Sequence, residues 1–296
     1  MQAKRRSYIE LHIAVLLFGL TAVLGDLIML PAAILVWWRV LITTFSLLFF
    51  IRFGRDLLTL KRSLALPLIG IGCLVAIHWI TFYGSIKLSN ASVTLIAMAT
   101  TSVFTSLLEP WIMKRKIDKL EIFMGILIIP GMIIVTQSID LSMKMGLLVG
   151  FISAFFAALF GTLNKKYVDD SNPYIITFVE LGSAWLFISM IFLFGQSFID
   201  LSNFVPPRWE DWVYILILSL LCTTLAYILA LRALKHLTAF ATNLVINLEP
   251  LYGILLAAAI LKEYEQLTTN FYLGGGIILA VVMSYPHLKK KYGRAG

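Results

Sequence analysis

The stretch from Ser85 to Thr105, SIKLSNASVTLIAMATTSVFT, has a second copy that begins 148 positions later and reads ALKHLTAFATNLVINLEPLYG, from Ala233 to Gly253. Lys87 aligns with Lys235, and in both copies a short polar turn separates two apolar runs at the same place. This spacing predicts a chain built of two related halves.

The composition is that of a membrane protein. Sixty per cent of the 296 residues are hydrophobic, 14 per cent are charged, and the mean hydropathy is +0.91. An apolar run of about 20 residues crosses a hydrocarbon core of about 30 Å as a helix. Ten such runs follow one another, at approximately 8–28, 33–53, 64–86, 91–113, 120–138, 146–166, 173–195, 211–232, 239–262 and 268–286. We therefore expect the bilayer to be the solvent of most of the chain.

Each copy contains five of these spans, so the two copies must cross the bilayer in opposite directions. The tripeptide Leu-Phe-Gly that ends at Gly19 in span one returns at Gly161 in span six, which extends the match beyond the opening stretch. We expect an all-α integral membrane protein with ten transmembrane helices, arranged as two inverted five-helix repeats at residues 1–138 and 139–296. Inverted repeats of this kind are characteristic of secondary transporters.

The basic residues favour one side of the membrane. Assigning alternate span ends to alternate sides puts nearly all of the 24 Lys and Arg residues together. The exceptions are Lys87, Lys144, Arg208 and Lys262 on the other side and Arg39 within a span. The positive-inside rule then places both termini in the cytoplasm, for a multi-pass protein of the inner (cytoplasmic) membrane. The same rule accounts for the net charge of +8 without nucleic-acid binding.

The segment LEPLYGILLAAAILKEYEQ, from Leu248 to Gln266, is the most specific motif in the chain. It resembles the EamA-type ten-span members of the drug/metabolite transporter superfamily, in which a proline in span nine is followed thirteen residues later by a glutamate, here Pro250 and Glu263. The resemblance covers nearly the whole chain. The first copy departs from this pattern, with Ser102 in place of the proline and Arg115 in place of the glutamate.

The resemblance implies a secondary active transporter that moves a small metabolite by alternating access and without ATP. We expect an exporter of an amino acid, an amine or a similar amphipathic solute, with proton coupling as an option and no cofactor or metal. A monomer suffices, because ten spans can enclose a site, and a dimer stays open. A lipid flippase or scramblase and a channel-like facilitator without ion coupling are the alternatives. An enzyme is disfavoured, because the four His residues are scattered and no HExxH or GxSxG motif occurs.

Glu249 is the leading candidate for substrate binding. It lies about ten residues, roughly 15 Å, into span nine, near the bilayer midplane, where an ionisable group is costly. Its carboxylate suits a substrate ammonium group or a coupling proton, and Asn243 and Asn247, four residues apart on one face, would orient the substrate. Thr101 and Ser102 occupy the equivalent depth in span four. A hydrogen-bonded contact between helices is the alternative role for these residues.

Aromatic residues occur at equivalent depths in spans three and eight. Trp79 aligns with Tyr227, and the two rings are suited to the walls of a binding site for a flat or cationic ligand. His78, beside Trp79, is either a proton-relay or ligand group or a neutral residue bonded to a neighbouring helix. Tyr83 lies nearer the outer interface, where aromatic residues are common without a ligand.

Arg39 and Glu180 lie at nearly equivalent positions in spans two and seven, but inversion places them at different depths. Arg39 is expected in the outer third of its span and Glu180 in the inner third, too far apart for contact. We therefore pair Arg39 with Asp26, near the outer end of span one, in a bridge that is either architectural or an outer gate. Glu180 stays a gating or structural charge.

Glu109 lies near the inner end of span four, just before the basic run Lys114-Arg115-Lys116. We expect it to pair with Lys165 or Lys166, either as part of an inner gate or simply at the end of the span. Asn164, next to these lysines, would hydrogen-bond to a neighbouring helix.

Overall fold

The computed structural model describes residues 2–51, 60–114, 116, 118–195, 201, 203–236, 245–246 and 248–292, and no strand occurs among them. The α-helices are α1 (Gln2–Leu27), α2 (Ala32–Leu47), α3 (Arg62–Leu88), α4 (Ala91–Met98), α5 (Thr101–Ile112), α6 (Lys119–Ser138), α7 (Lys144–Tyr167), α8 (Pro173–Phe194), α9 (Trp209–Ser219), α10 (Ala226–His236), α11 (Glu249–Leu261) and α12 (Thr269–Tyr292). A π-helical stretch, Leu220–Leu225, joins α9 to α10, and short 3-10 turns cover Leu141–Met143 and Glu263–Glu265.

The helices are those of a membrane protein. Within the described residues, six helical segments are long and apolar enough to cross a membrane, and four shorter apolar helices lie in the remaining predicted spans. Large apolar side chains such as Phe49, Leu66, Trp111 and Phe194 stand on the outer surface, mostly exposed. Such a surface is unfavourable in water but faces lipid in a bilayer. The prediction of an all-α membrane fold of ten spans is confirmed.

The repeat is visible in the backbone. The α-helix of span four is interrupted at Ala99 and Thr100 (Thr100 φ −76°, ψ −5°), between α4 and α5, and α11 begins after Leu248 (φ −82°, ψ −12°), 148 positions after Thr100. Just beyond α5 and α11 the chain passes through a lysine with positive φ, Lys114 (53°) and Lys262 (54°), again 148 positions apart. Residues other than glycine rarely adopt this conformation. Its recurrence at equivalent positions supports two copies of one structural unit.

The residues at the start of the second helix differ between the halves. In span four, Thr100 Oγ1 donates to the Ala97 carbonyl at 2.6 Å and Ser102 Oγ to the Ala99 carbonyl at 3.2 Å. Hydroxyl groups bonded to nearby carbonyls compete with the regular hydrogen bonds of a helix. In span nine, Pro250 is the second residue of α11, where its missing N–H is tolerated.

Small residues let neighbouring helices pack closely. The helix α1 lies against α10 and α11, and α3 lies against α7 and α8. Where α1 crosses α11, a Cβ on Gly19 would lie 2.9 Å from the Gly253 nitrogen and 3.3 Å from the Glu249 carbonyl oxygen. The crossing therefore sets the start of α11 directly against α1.

Glu263 joins the second half to the first. Its two carboxylate oxygens accept hydrogen bonds from Ala91 N and Ser92 N, each at 2.9 Å, at the N-terminus of α4. Asn90 Oδ1 accepts from Val93 N at the same helix end. An anion is favoured there, because the first N–H groups of a helix lack partners within it and the helix dipole is positive.

Replacing Glu263 with alanine should lower the free energy of unfolding by about 1–2 kcal/mol, the usual range for a lost N-cap. Thermal unfolding of the purified protein measures the effect. Glu265→Ala is the control, because Glu265 lies two positions away and is exposed. Equal melting temperatures for the two variants would show that the contact contributes nothing.

Candidate functional site

Arg39 of α2 is the centre of the polar interior and is only 2% exposed. Its Nε donates to Thr223 Oγ1 and its Nη1 to Tyr83 OH, both at 2.7 Å, and its Cζ lies 3.9 Å from the centre of the Trp79 ring. Trp79 and Tyr83 are one turn apart on α3, and Thr223 lies in span eight. Side chains of two other spans, three and eight, therefore hold the guanidinium group in a defined orientation.

Thr223 belongs to the π-helical stretch Leu220–Leu225. Its hydroxyl accepts from Arg39 and donates to the Leu218 carbonyl at 2.7 Å, five residues earlier, which is the spacing of a π-turn. Turns of this kind are rare in proteins, and those that do occur are often found at functional sites. Here the wider turn gives the hydroxyl both a backbone acceptor and the guanidinium.

Glu249, the first residue of α11, lies near Arg39 without touching it. The two charges interact electrostatically, yet in the described part of the chain no oxygen of this carboxylate lies within 4.0 Å of a guanidinium nitrogen. Among the same residues, neither the Glu249 carboxylate nor Arg39 Nη2 has a hydrogen-bond partner, and none of these atoms is fully buried. The Glu249 carboxyl group and Arg39 Nη2 are therefore separated by a gap of more than 4.0 Å, and neither has a partner among the described residues.

Two cavities lie elsewhere in the bundle. One of about 520 Å³ is lined by residues 169–174 together with Arg232 and His236, at the ends of α7, α8 and α10. The other, of about 460 Å³, lies between α5, α6 and α7 and is mainly apolar. Neither is lined by Arg39 or Glu249.

Comparison with known proteins identifies the family. The profile of the EamA-like transporter family matches residues 6–137 and, a second time, residues 144–285. The chain belongs to the EamA-like transporter family. This EamA-like protein is 21% identical over 219 residues to the uncharacterized transporter YyaM of Bacillus subtilis (strain 168), covering 71% of each chain. It is 25% identical over 306 residues to the uncharacterized transporter YetK of the same organism, covering 96% of this chain and 91% of YetK.

One solved crystal structure has the same fold as this EamA-like protein. The two agree over 97% of this chain and 99% of the other, with a TM-score of 0.67 and 12% sequence identity. The predicted membership of the drug/metabolite transporter superfamily is confirmed, and the EamA-like chain is a multi-pass membrane transporter.

The structure of the EamA-like transporter separates the predicted substrate-binding residues. Glu249 and Trp79 lie at the Arg39 site, whereas Asn243 and Asn247 lie outside the described residues. Thr101 and Ser102 start α5, where the Thr101 hydroxyl is buried and has no hydrogen-bond partner among the described residues. No hydrogen bond joins either of them to Glu249 in that part of the chain.

His78 and Tyr227 make other contacts. His78 Nδ1 lies 2.9 Å from Ser153 Oγ and 3.0 Å from the Ser153 carbonyl oxygen on α7, which is the contact with a neighbouring helix that was one of its two expected roles. Tyr227 OH donates to Glu180 Oε2 at 2.6 Å. Trp79 and Tyr227 therefore belong to two different polar clusters, and their shared role as the walls of one site stays a prediction.

The predicted bridge between Asp26 and Arg39 is wrong. Asp26 is exposed at the end of α1, where Lys87 Nζ donates to the carbonyl oxygens of Asp26 and Ile28 at 3.3 Å and 2.5 Å. Arg39 instead points into the bundle toward Tyr83, which is fully buried and does not face the outer surface of the bundle. Depth along a helix does not determine which way a side chain faces.

The predicted pairing of Glu109 is confirmed. Lys165 Nζ donates to Glu109 Oε1 and links α5 to α7. Glu180 and Arg39 bind separate partners, consistent with the separation expected from their depths. Whether these charges act as gates stays a prediction.

Sequence reasoning missed Thr223 and misplaced Tyr83. The four-residue spacing of Trp79 and Tyr83 is compatible with one helix face, and that spacing was the available indication that both contact Arg39. No comparable pattern in the sequence indicated the π-helical stretch that holds Thr223.

Proposed function

We propose that this EamA-like transporter is a secondary carrier for a small zwitterionic solute of the α-amino-acid class, which it moves by alternating access. The observation that carries the proposal is the gap between Arg39 and Glu249, whose facing atoms are unpaired in the described part of the chain. Opposite charges that approach each other without forming an ion pair leave room for a ligand that has both signs of charge.

Arg39 is suited to bind a carboxylate. Thr223 and Tyr83 occupy two of its donors and orient the group, while Nη2 stays available. The planar guanidinium matches a carboxylate with parallel donors, and its stacking on Trp79 favours one plane for the group. A charge inside a membrane span is rare and calls for a functional explanation.

Glu249 is suited to bind the ammonium group of the same solute. A zwitterion seated between the two residues forms an ion pair at each end and adds no net charge to the bundle. The free-energy cost of removing charges from water is offset only when every charge has a partner of opposite sign. A simple amine or a simple carboxylic acid would leave either Arg39 or Glu249 without a partner.

The helix break in span four and the start of α11 within span nine support a carrier mechanism. Inverted-repeat transporters bind their substrates at interrupted helices near the midplane, and the two repeats rock about that site. Glu249 is the first residue of α11 in span nine. We propose residues 1–138 and 139–296 as the two units that rock, with both termini in the cytoplasm by the positive-inside rule.

Glu249→Gln should lower the rate of amino-acid counterflow at least tenfold, because a hydrogen bond to a charged group contributes about 1.5–3 kcal/mol. The measurement is exchange of a radiolabelled L-amino-acid mixture across proteoliposomes that contain the purified protein. Preloading the vesicles or the medium in turn reports the direction of net flux.

Glu265→Gln is the matched control, because it removes an exposed carboxylate near the end of the following turn. Single L-amino acids, together with matching amines and carboxylic acids that lack one charged group, complete the test. Only the zwitterions should drive exchange. Equal exchange with amines or carboxylic acids, or a Glu249→Gln variant as fast as the control, would refute the proposed substrate class.

A further inference from the structure

A second buried acid lies outside the Arg39 site. Glu180 of α8 is completely buried, and its Oε2 accepts hydrogen bonds from Tyr227 OH at 2.6 Å and from Asn164 Nδ2 at 3.3 Å. Asn164 Nδ2 also donates to the Tyr227 oxygen at 2.7 Å. We call these three residues the Glu180 cluster. They come from α8, α7 and α10 and form a closed triangle of contacts.

The Glu180 cluster has more hydrogen-bond acceptors than donors. Glu180 Oε1 and Asn164 Oδ1 are both buried acceptors without a partner, and within the described residues no cation lies within 4.0 Å of the carboxyl group. A buried carboxylate without a counter-charge is costly, as is a buried acceptor without a donor. One added positive charge that also donates a hydrogen bond would remove both costs.

A proton fits this site better than a metal ion does. A hydrated or oxygen-coordinated metal cation needs six or so oxygen ligands and the space to arrange them. The two acceptor atoms have almost no accessible surface, so the packing around them leaves no such space. A proton on Glu180 adds no volume, neutralises the carboxylate and turns one of its oxygens into a donor.

The charged and titratable residues on the helices around the Glu180 cluster are Arg39 on α2; Arg62, Cys73, His78, Tyr83 and Lys87 on α3; Lys144, Lys165, Lys166 and Tyr167 on α7; Tyr174 on α8; and Tyr227, Arg232, Lys235 and His236 on α10. Of these, Tyr227 is the one with a hydrogen bond to Glu180 in the described part of the chain. Arg39, His78 and Lys165 bind Thr223, Ser153 and Glu109 instead. Arg232 pairs with Glu10.

Span eight connects the Glu180 cluster to the Arg39 site. Tyr227 follows Thr223 by four residues, about one helical turn, so one helix holds both Glu180 and Arg39 through neighbouring side chains. The two sites are also related by the repeat, since Trp79, which stacks on Arg39, aligns with Tyr227, which bonds to Glu180. Each half thus places one ionisable group of span two or seven against one aromatic residue of the next span.

We propose that the Glu180 cluster binds a proton at the Glu180 carboxyl group, apart from the Arg39–Glu249 solute site, and that this proton is the coupling ion of the carrier. The second part rests on the proposed function. Loss of the proton leaves a carboxylate that accepts a stronger hydrogen bond from Tyr227. Tyr227 follows directly on the π-helical stretch that holds Thr223, so a shift of Tyr227 moves the Thr223 hydroxyl that binds Arg39.

Infrared difference spectroscopy tests the proton site without any solute. Wild-type protein in lipid nanodiscs, compared between acidic and alkaline buffer, should show the carbonyl band of a protonated carboxylic acid that disappears as the pH rises. Glu180→Gln should lose that band. Tyr227→Phe should keep it at a shifted frequency, because the acid loses a hydrogen bond, and a purely structural role for Glu180 predicts no such shift.

Glu249→Gln is the matched control, since it removes the carboxyl group of the proposed solute site and should leave the Glu180 band in place. A wild-type spectrum without a pH-dependent band that Glu180→Gln removes would overturn the proton site.

Transport of the radiolabelled L-amino-acid mixture tests the coupling. Glu180→Gln should keep solute counterflow and lose the accumulation driven by a pH gradient, falling to the level of wild-type vesicles treated with a protonophore. Loss of counterflow and accumulation to the same extent would overturn the coupling role. If wild-type vesicles show no counterflow, the proposed function fails, while the infrared result still decides whether Glu180 binds a proton.

Discussion

Arg39→Lys is expected to reduce amino-acid counterflow by about 100-fold. Lysine keeps the positive charge but cannot donate to Thr223 and Tyr83 in the fixed geometry of a guanidinium group. Loss of charged hydrogen bonds worth about 3 kcal/mol in total corresponds to that factor. Initial rates of exchange in proteoliposomes measure it, with equal amounts of each variant reconstituted.

Arg62→Lys is the control for this substitution, because Arg62 is exposed at the start of α3. It should exchange solute at the wild-type rate. A normal rate for Arg39→Lys would mean that a point charge suffices at this position, and the role of the Arg39 guanidinium as the ligand of the solute carboxylate would have to be abandoned.

Gly72→Val should be strongly destabilising, by about 1–3 kcal/mol, the usual cost of overpacking a closely packed interior. Gly72 of α3 lies directly against the main chain of α8, so that a Cβ would collide with the Glu180 carbonyl oxygen and approach Ser183 Cβ to 2.9 Å. Backbone atoms cannot move aside as the end of a side chain can. The midpoint of thermal unfolding of the purified protein should fall accordingly.

Gly70→Val provides a matched comparison. Gly70 lies two positions away on the same helix, and a Cβ there meets nothing within 4 Å. Both substitutions carry the same helix-propensity change, so the difference between their melting temperatures isolates the contact with α8. Similar melting temperatures would show that α3 and α8 separate at little cost.

Much of the architecture could be predicted because hydrophobicity and length decide it. A run of about 20 apolar residues can satisfy its backbone in lipid as a helix, so the ten spans follow from the sequence. The pairing of Glu109 with Lys165 was also predictable. Both residues lie near the same membrane face, and a long lysine side chain reaches its partner across a range of orientations.

The interior contacts of Arg39 could not be predicted in the same way. Counting residues from a span end gives a height of about 1.5 Å per residue and says nothing about the direction of the side chain. That limitation produced the incorrect pairing with Asp26. It also left Glu180 without partners, although Tyr227 and Asn164 meet it from two other helices.

The 148-residue repeat between Ser85–Thr105 and Ala233–Gly253, the ten spans and the family were determined by the sequence alone, because they depend on which residues occur and how far apart they are. Tertiary structure alone decided that Arg39 and Glu249 border one gap and that Glu180 lies in a separate closed cluster. These contacts depend on the rotation of each helix about its axis, which packing between helices sets. Gly72 is an example, because the absence of a side chain there lets this face of α3 lie against the backbone of α8.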